Sequence, residues 1–93
     1  MIVGVLRMDL AVFEAQTLKD KRRIIQSLKQ KLTNHFNISI AEVDYNDRAQ
    51  RCLLGLALVS TDSRFAHSLL DKIVESVRKV PEVTLLHFER EML

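Results

Sequence analysis

The residues best suited to a chemical or binding role are cations, which are concentrated in one segment of the chain. Residues 18–36 hold six lysines and arginines against one aspartate, a net charge of +5, whereas the whole chain carries +2. Such segregation indicates an anionic partner. The candidate nucleic-acid or anion-binding residues are Lys19, Lys21, Arg22, Arg23 and Lys29.

This basic segment is also the start of a predicted helix. Cations at a helix N-terminus oppose the helix dipole, so they cost some helix stability and invite a functional explanation. The free N–H groups of a first helical turn, together with these side chains, would suit an anion such as phosphate. The alternative is a solvated basic face that pairs with acids elsewhere, and both interpretations stay open.

A second polar cluster lies at a predicted hairpin and consists of Glu42, Asp44, Arg48 and Arg51. Glu42 and Asp44 are two residues apart in a strand, so we expect them on the same face. They could form a carboxylate pair or an ion-pair network with the arginines. We favour a solvated hairpin end, with exposed ion pairs worth ~0–1 kcal/mol each, because the segment mixes both signs of charge and lacks a histidine partner.

Other chemistries lack the residues they need. The three histidines and the lone Cys52 lie on different predicted elements, without the spacing of a metal site. No triad spacing surrounds a nucleophile, and Gly4 and Gly55 lie inside strands rather than in a phosphate-binding loop. We therefore predict no metal, no cofactor, no catalytic residue and no enzymatic activity. An enzyme built on Glu42, Asp44 and Arg51 is the weakest hypothesis.

The hydrophobic pattern indicates which elements position these clusters. Period-two alternation predicts strands over residues 1–12, 38–45, 50–60 and 83–88. Apolar spacing of three and four predicts a helix from an N-cap at Thr17 to Phe36, and a second that begins near 61–63 and ends before Pro81. The order βαββαβ predicts an α+β, ferredoxin-like domain over residues 1–93, with a four-stranded antiparallel sheet and two helices on one face.

Two side-chain patterns refine this expectation. Leu28 and Leu32 should pack against the sheet with Leu6, Leu56 and Ile73. Lys21 falls within the apolar stripe of the first helix, so it must extend over the sheet edge or meet a carboxylate.

The helix-free face of the sheet is unexpectedly apolar. In a two-layer fold that face should be mostly polar. The sequence instead places there a set of apolar residues, Val3, Val5, Leu53, Ala57 and Val59. They are either scattered exposed residues, which are common, or an oligomer interface covered by a second subunit. We favour the second and expect a homo-oligomer, a dimer in its simplest form.

The same sheet is not a base-stacking platform. RNA-recognition motifs share this topology and stack bases on aromatic residues of the two central strands. Neither central strand here contains an aromatic residue. Contact with RNA would therefore use the basic helix and depend little on base sequence.

Features of the whole chain bear on the cellular compartment in which the protein is expected. The apolar N-terminus lacks the pattern of a signal peptide, and no segment approaches the length of a membrane span. A single cysteine cannot form an internal disulfide. We expect a cytoplasmic protein that does not contact membranes.

Several strings of residues resemble a known family. Leu18–Lys29, Asn37–Asp44, Gln50–Arg51 and Leu54–Ala57 are similar to the YlxP-like family of small bacterial proteins. The resemblance implies a ferredoxin-like fold, no assigned activity, and a ribosome or RNA connection, since the family's genes often lie among translation factors. Tyr45 stands where the family usually has histidine and Ala49 where tryptophan is common, which weakens any catalytic or docking role for the hairpin turn.

Together these observations predict a non-enzymatic binding module that contacts RNA or ribosomal ribonucleoprotein through its basic first helix. The alternative is a homo-oligomeric small-ligand or regulatory module that uses the apolar sheet face. Strong salt dependence of RNA binding is expected only from the first.

Overall fold

The computed structural model describes residues 1–93 and has the predicted order of elements. They are β1 (Ile2–Ala11), α1 (Leu18–His35), β2 (Ser39–Asp44), β3 (Arg51–Ser60), α2 (Ser63–Arg78) and β4 (Thr84–Met92). The strands form one antiparallel sheet in the order β2-β3-β1-β4, and both helices cover one of its faces. The predicted ferredoxin-like α+β fold is confirmed.

Helix α1 begins where the sequence predicts. The Thr17 hydroxyl accepts a hydrogen bond from the Asp20 N–H at 3.1 Å, which satisfies a donor of the first turn. The Asp20 carboxylate in turn accepts the Gln16 N–H at 3.1 Å. Phe36 has an extended backbone and its N–H still reaches the Leu32 carbonyl, so the helix ends at His35.

Helix α2 is capped by Asp62, whose side chain accepts the Arg64 N–H at 2.9 Å. Its buried stripe consists of Ala66, Leu70, Ile73, Val74 and Val77. Pro81 follows the last turn and has no N–H to continue the helix.

The core lies between the sheet and the helices. Alternate residues of β1 and β3, among them Leu6, Met8, Leu54 and Leu56, are at most 4% exposed. One cluster joins them to Leu28 and Leu32 of α1 and Ile73 of α2, as the sequence predicts. The helical phase predicted for the apolar stripe of α1 is therefore confirmed.

Strand β4 is longer than its hydrophobic pattern predicts. It extends past Phe88 through three charged residues, and its pairing with β1 continues to Gly4 opposite Met92. Because β4 is an edge strand with much of its side-chain surface exposed, backbone pairing rather than burial determines its length. Alternation of apolar residues could not reveal that extension.

Replacement of Leu28 by alanine tests the packing of α1. Leu28 is 3% exposed, and loss of its buried methyl groups should lower the free energy of unfolding by about 2–5 kcal/mol. Gln30→Ala, at an exposed position of the same helix, serves as the control in urea denaturation. A loss below about 1 kcal/mol for Leu28→Ala would contradict this packing.

Candidate functional site

Lys21 is completely buried, unlike every other lysine and arginine. Its ammonium group donates to the Glu42 carboxylate at 2.7 Å, the Tyr45 carbonyl at 2.8 Å and the Arg51 carbonyl at 3.3 Å. These acceptors match its three N–H donors. The expectation that Lys21 belongs to a nucleic-acid-binding surface is therefore wrong, because no ligand can reach it.

The phase of α1 explains this placement. Lys21 lies one turn before Ile25 on the buried stripe, so its side chain extends toward the sheet beneath the helix. Burial of a charge is costly unless it is paired and hydrogen-bonded. Glu42 of β2 supplies the countercharge, and its side chain is only 17% exposed. Of the two alternatives expected for Lys21, extension over the sheet edge or contact with a carboxylate, the second is confirmed.

The β2–β3 turn depends on the same lysine. Tyr45 has a φ of +63°, a left-handed conformation that is uncommon for residues other than glycine. Its carbonyl accepts hydrogen bonds from Lys21 and from the Arg48 N–H at 3.0 Å. Its own N–H donates to the Asp44 carboxylate at 2.7 Å. These bonds hold the turn in a conformation that Tyr45 would not adopt readily by itself.

A β-bulge separates the two carboxylates of β2. Glu42 pairs with Leu54, but the next pair joins Asp44 to Leu53, so Val43 is an extra residue. Glu42 consequently faces the helices, and Asp44 faces the opposite side with Leu53. The expectation that Glu42 and Asp44 share a face is wrong. Because the two carboxylates lie on opposite faces of the sheet, they cannot act as a pair.

Arg51 has a partner that the sequence pattern did not identify. Its guanidinium donates to both carboxylate oxygens of Asp9, each at 2.8 Å. The hydrogen bond and the charge of Asp9 raise the pKa of Arg51 above its usual value. The Tyr45 ring lies near this group, with its centroid 4.8 Å from the Arg51 guanidinium and 5.4 Å from that of Arg48. Glu42 and Arg51 thus belong to two separate ion pairs on opposite sides of the sheet, and Asp44 and Arg48 belong to neither.

The remaining cations of α1 form a surface that we call the basic stripe, defined as Lys19, Arg22 and Lys29. Positions i, i+3 and i+10 of a helix share a face, here over about 15 Å. The three side chains line a shallow groove beside β2, together with Arg23 and Glu42. No residue of the basic stripe makes a salt bridge, whereas Arg23 lies 3.6 Å from Asp20.

Cys52 has no nucleophilic character. It is buried in β3, and this burial, reinforced by the nearby Glu42 carboxylate, raises the pKa of its thiol to about 12. The thiol is therefore protonated at neutral pH.

The helix-free face carries the oligomer-interface candidates. Val3, Val5, Leu53 and Ala57 are half-buried there, and Val59 is 67% exposed. No three metal-ligating side chains come together anywhere in the structure. Neither helix is long and apolar enough to span a bilayer.

The fold and these surfaces define a small ferredoxin-like domain with a basic first helix. Residues 3–90 match the family model described as "Protein of unknown function (DUF503)". The chain belongs to the DUF503 family.

One curated protein and two solved structures are similar to this chain. The chain is 28% identical over 82 residues to the uncharacterized protein YlxP of Bacillus subtilis (strain 168), covering 88% of this chain and 89% of YlxP. Among solved structures, the de novo designed protein Foldit4 has a TM-score of 0.56 at 12% identity, covering 100% of this chain and 97% of that one. The designed ferredoxin-fold protein LFR1 1 has a TM-score of 0.48 at 16% identity, covering 99% and 85%.

Removal of the Lys21 ammonium should destabilise the fold strongly. Lys21→Met leaves the Glu42 carboxylate without its countercharge and removes one donor from each of two carbonyls, so the free energy of unfolding should fall by about 3–5 kcal/mol. Lys31→Met, at an exposed position of α1, should change it little.

A double-mutant cycle separates the ion pair from the carbonyl contacts. Glu42→Leu combined with Lys21→Met removes both charges, so the combined loss of stability should be smaller than the sum of the single losses. Additive losses would show that the two charges do not interact.

The thiol of Cys52 should resist labelling. A pKa raised to about 12 from 9.0 makes the thiolate fraction at neutral pH about a thousandfold smaller. A disulfide exchange reagent should therefore modify the native protein far more slowly than the urea-unfolded chain. Equal rates in the two states would mean that Cys52 is accessible and ionisable in the fold.

Proposed function

We propose that this protein is a non-enzymatic binding module that contacts the phosphate backbone of structured RNA through the basic stripe. The observation that supports this proposal is that Lys19, Arg22 and Lys29 share one face of α1 and none of them has a protein carboxylate as a partner. Unpaired cations in a row are available to an external anion.

The surroundings of the stripe favour an anion. Glu42 lines the same groove and would repel phosphate, but Lys21 binds its carboxylate from below at 2.7 Å. The buried lysine thus offsets the one acidic group beside the stripe. Arg23, which is 75% exposed, adds a fourth cation nearby despite its contact with Asp20.

The expected mode of RNA recognition follows from the absence of aromatic residues on the central strands. Strands β1 and β3 contain no aromatic residue on which a base could stack. Contacts made by lysine and arginine to phosphates position a nucleic acid without reading its sequence. The protein should therefore bind RNA by charge and shape. The resemblance to a family whose genes often lie among translation factors makes ribosomal RNA the first target to test.

Charge reversal on the stripe should abolish most of the RNA binding. Arg22→Glu combined with Lys29→Glu replaces two cations seven residues apart with anions. The dissociation constant for structured RNA should rise by a similar factor for every sequence tested, because phosphate contacts carry no base information. Binding of the unaltered protein should weaken steeply between about 50 and 200 mM salt.

The other helix provides a matched control. Lys72→Glu in α2 combined with Lys79→Glu at its C-cap reverses two exposed cations that are likewise seven residues apart, so both double variants have the same net charge. Binding should survive in this control. Equal loss of binding in both double variants would mean that total charge rather than the stripe is responsible, and unaltered binding in the α1 variant would refute the proposal.

A further inference from the structure

The helix-free face has an apolar centre that extends over three strands. Paired residues of β1 and β3 point to this side, among them Val3 with Val59 and Val5 with Ala57. Leu53 continues the apolar row along β3. Two positions are strongly exposed for valines in a sheet, Val59 at 67% and Val43 at 54%.

The bulge in β2 places Val43 over this centre. A Cβ atom at Gly55 would lie only 3.1 Å from Cγ1 of Val43, so the absence of a side chain at Gly55 lets the valine lie against β3. Val43, Val5, Leu53 and Ala57 then line a shallow groove. A water-facing sheet surface would carry polar residues at these positions.

Four charges on the same face form two neutral pairs. Arg7 binds Glu89 at 3.3 Å, and Arg51 binds Asp9 at 2.8 Å. Two further acids, Asp44 and Glu91, lie on the edge strands β2 and β4, at opposite rims of the sheet. A surface that meets its own copy across a two-fold axis cannot carry a large net charge, because identical charges would oppose each other.

The size of the face suits a small dimer. Strands β1 and β3 have ten residues each, so the sheet is about 33 Å long and, with four strands, about 19 Å wide. Its projected area of roughly 600 Å² underestimates the accessible surface, since side chains stand above the plane. The face can therefore supply the roughly 800 Å² per partner of a standard interface.

We propose that the helix-free face is the interface between two copies of this chain, packed sheet to sheet around a two-fold axis. Val43, Leu53, Ala57 and Val59 form its apolar centre, and the ion pairs lie at its side. Both helix layers then face outward, so each subunit keeps its basic stripe exposed. A second copy fits better than a charged partner because the centre of the face is apolar and four of its charges are paired, which leaves only Asp44 and Glu91, at opposite rims, without a salt bridge.

Sedimentation equilibrium of the full chain tests this proposal. The unaltered protein should be a dimer, and Val43→Lys and Val59→Lys should each raise the dimer dissociation constant by about tenfold or more, because each would bury an unpaired cation in the apolar centre of the interface. Phe65→Lys on α2 is the control, since Phe65 is also 56% exposed but lies in the helix layer. This variant should leave the dissociation constant unchanged.

A second measurement needs no variant. In a mixture of isotope-labelled and unlabelled protein, intermolecular contacts observed by NMR should involve the methyl groups of Val43, Leu53 and Val59. A monomer at about 1 mM protein would overturn the proposal. So would a dimer whose intermolecular contacts arise from α1, α2 or the β4 edge.

Discussion

The buried ammonium of Lys21 is the interaction on which the relation between helix and hairpin depends. It joins α1 to the Glu42 carboxylate of β2, to the turn carbonyl of Tyr45 and to the first residue of β3. Removing an ammonium and a carboxylate from water costs several kcal/mol each, and only close geometry with all donors satisfied offsets that cost. The left-handed turn at Tyr45 and the bulge at Val43 belong to this arrangement, because together they bring the carboxylate and two carbonyls to one point.

The cations of α1 have two different roles, one structural and one at the surface. Lys21 lies on the inward face of the helix and stabilises the fold, whereas Lys19, Arg22 and Lys29 are not buried and make no salt bridge. A dense run of positive charge in the sequence therefore combines a structural group with an accessible surface. Burial, which follows from the helical phase, separates the two roles, and residue type alone does not.

The sequence allowed the elements, the phase of α1 and the inward position of Lys21 to be predicted, because each leaves a period of two or 3.6 in the apolar residues. The bulge at Val43 leaves no such trace, so Glu42 and Asp44 were assigned to one face. The pair of Asp9 with Arg51 joins residues 42 positions apart, and only strand pairing brings them together. The charged end of β4 was not predicted for a related reason. Backbone hydrogen bonds to β1, rather than burial of side chains, determine where this strand ends.

The edges of the sheet bear on solubility. Exposed edge strands are templates for adding further chains, and proteins discourage this with short strands, bulges and charged side chains. Strand β2 has six residues and a bulge, and β4 carries Glu89, Arg90 and Glu91 in succession. Growth along the hydrogen-bonding direction, which would lead to open-ended fibres, is thereby disfavoured at both edges. The proposed dimer uses the broad face instead of these edges, and a two-fold contact of that kind closes on itself and stops.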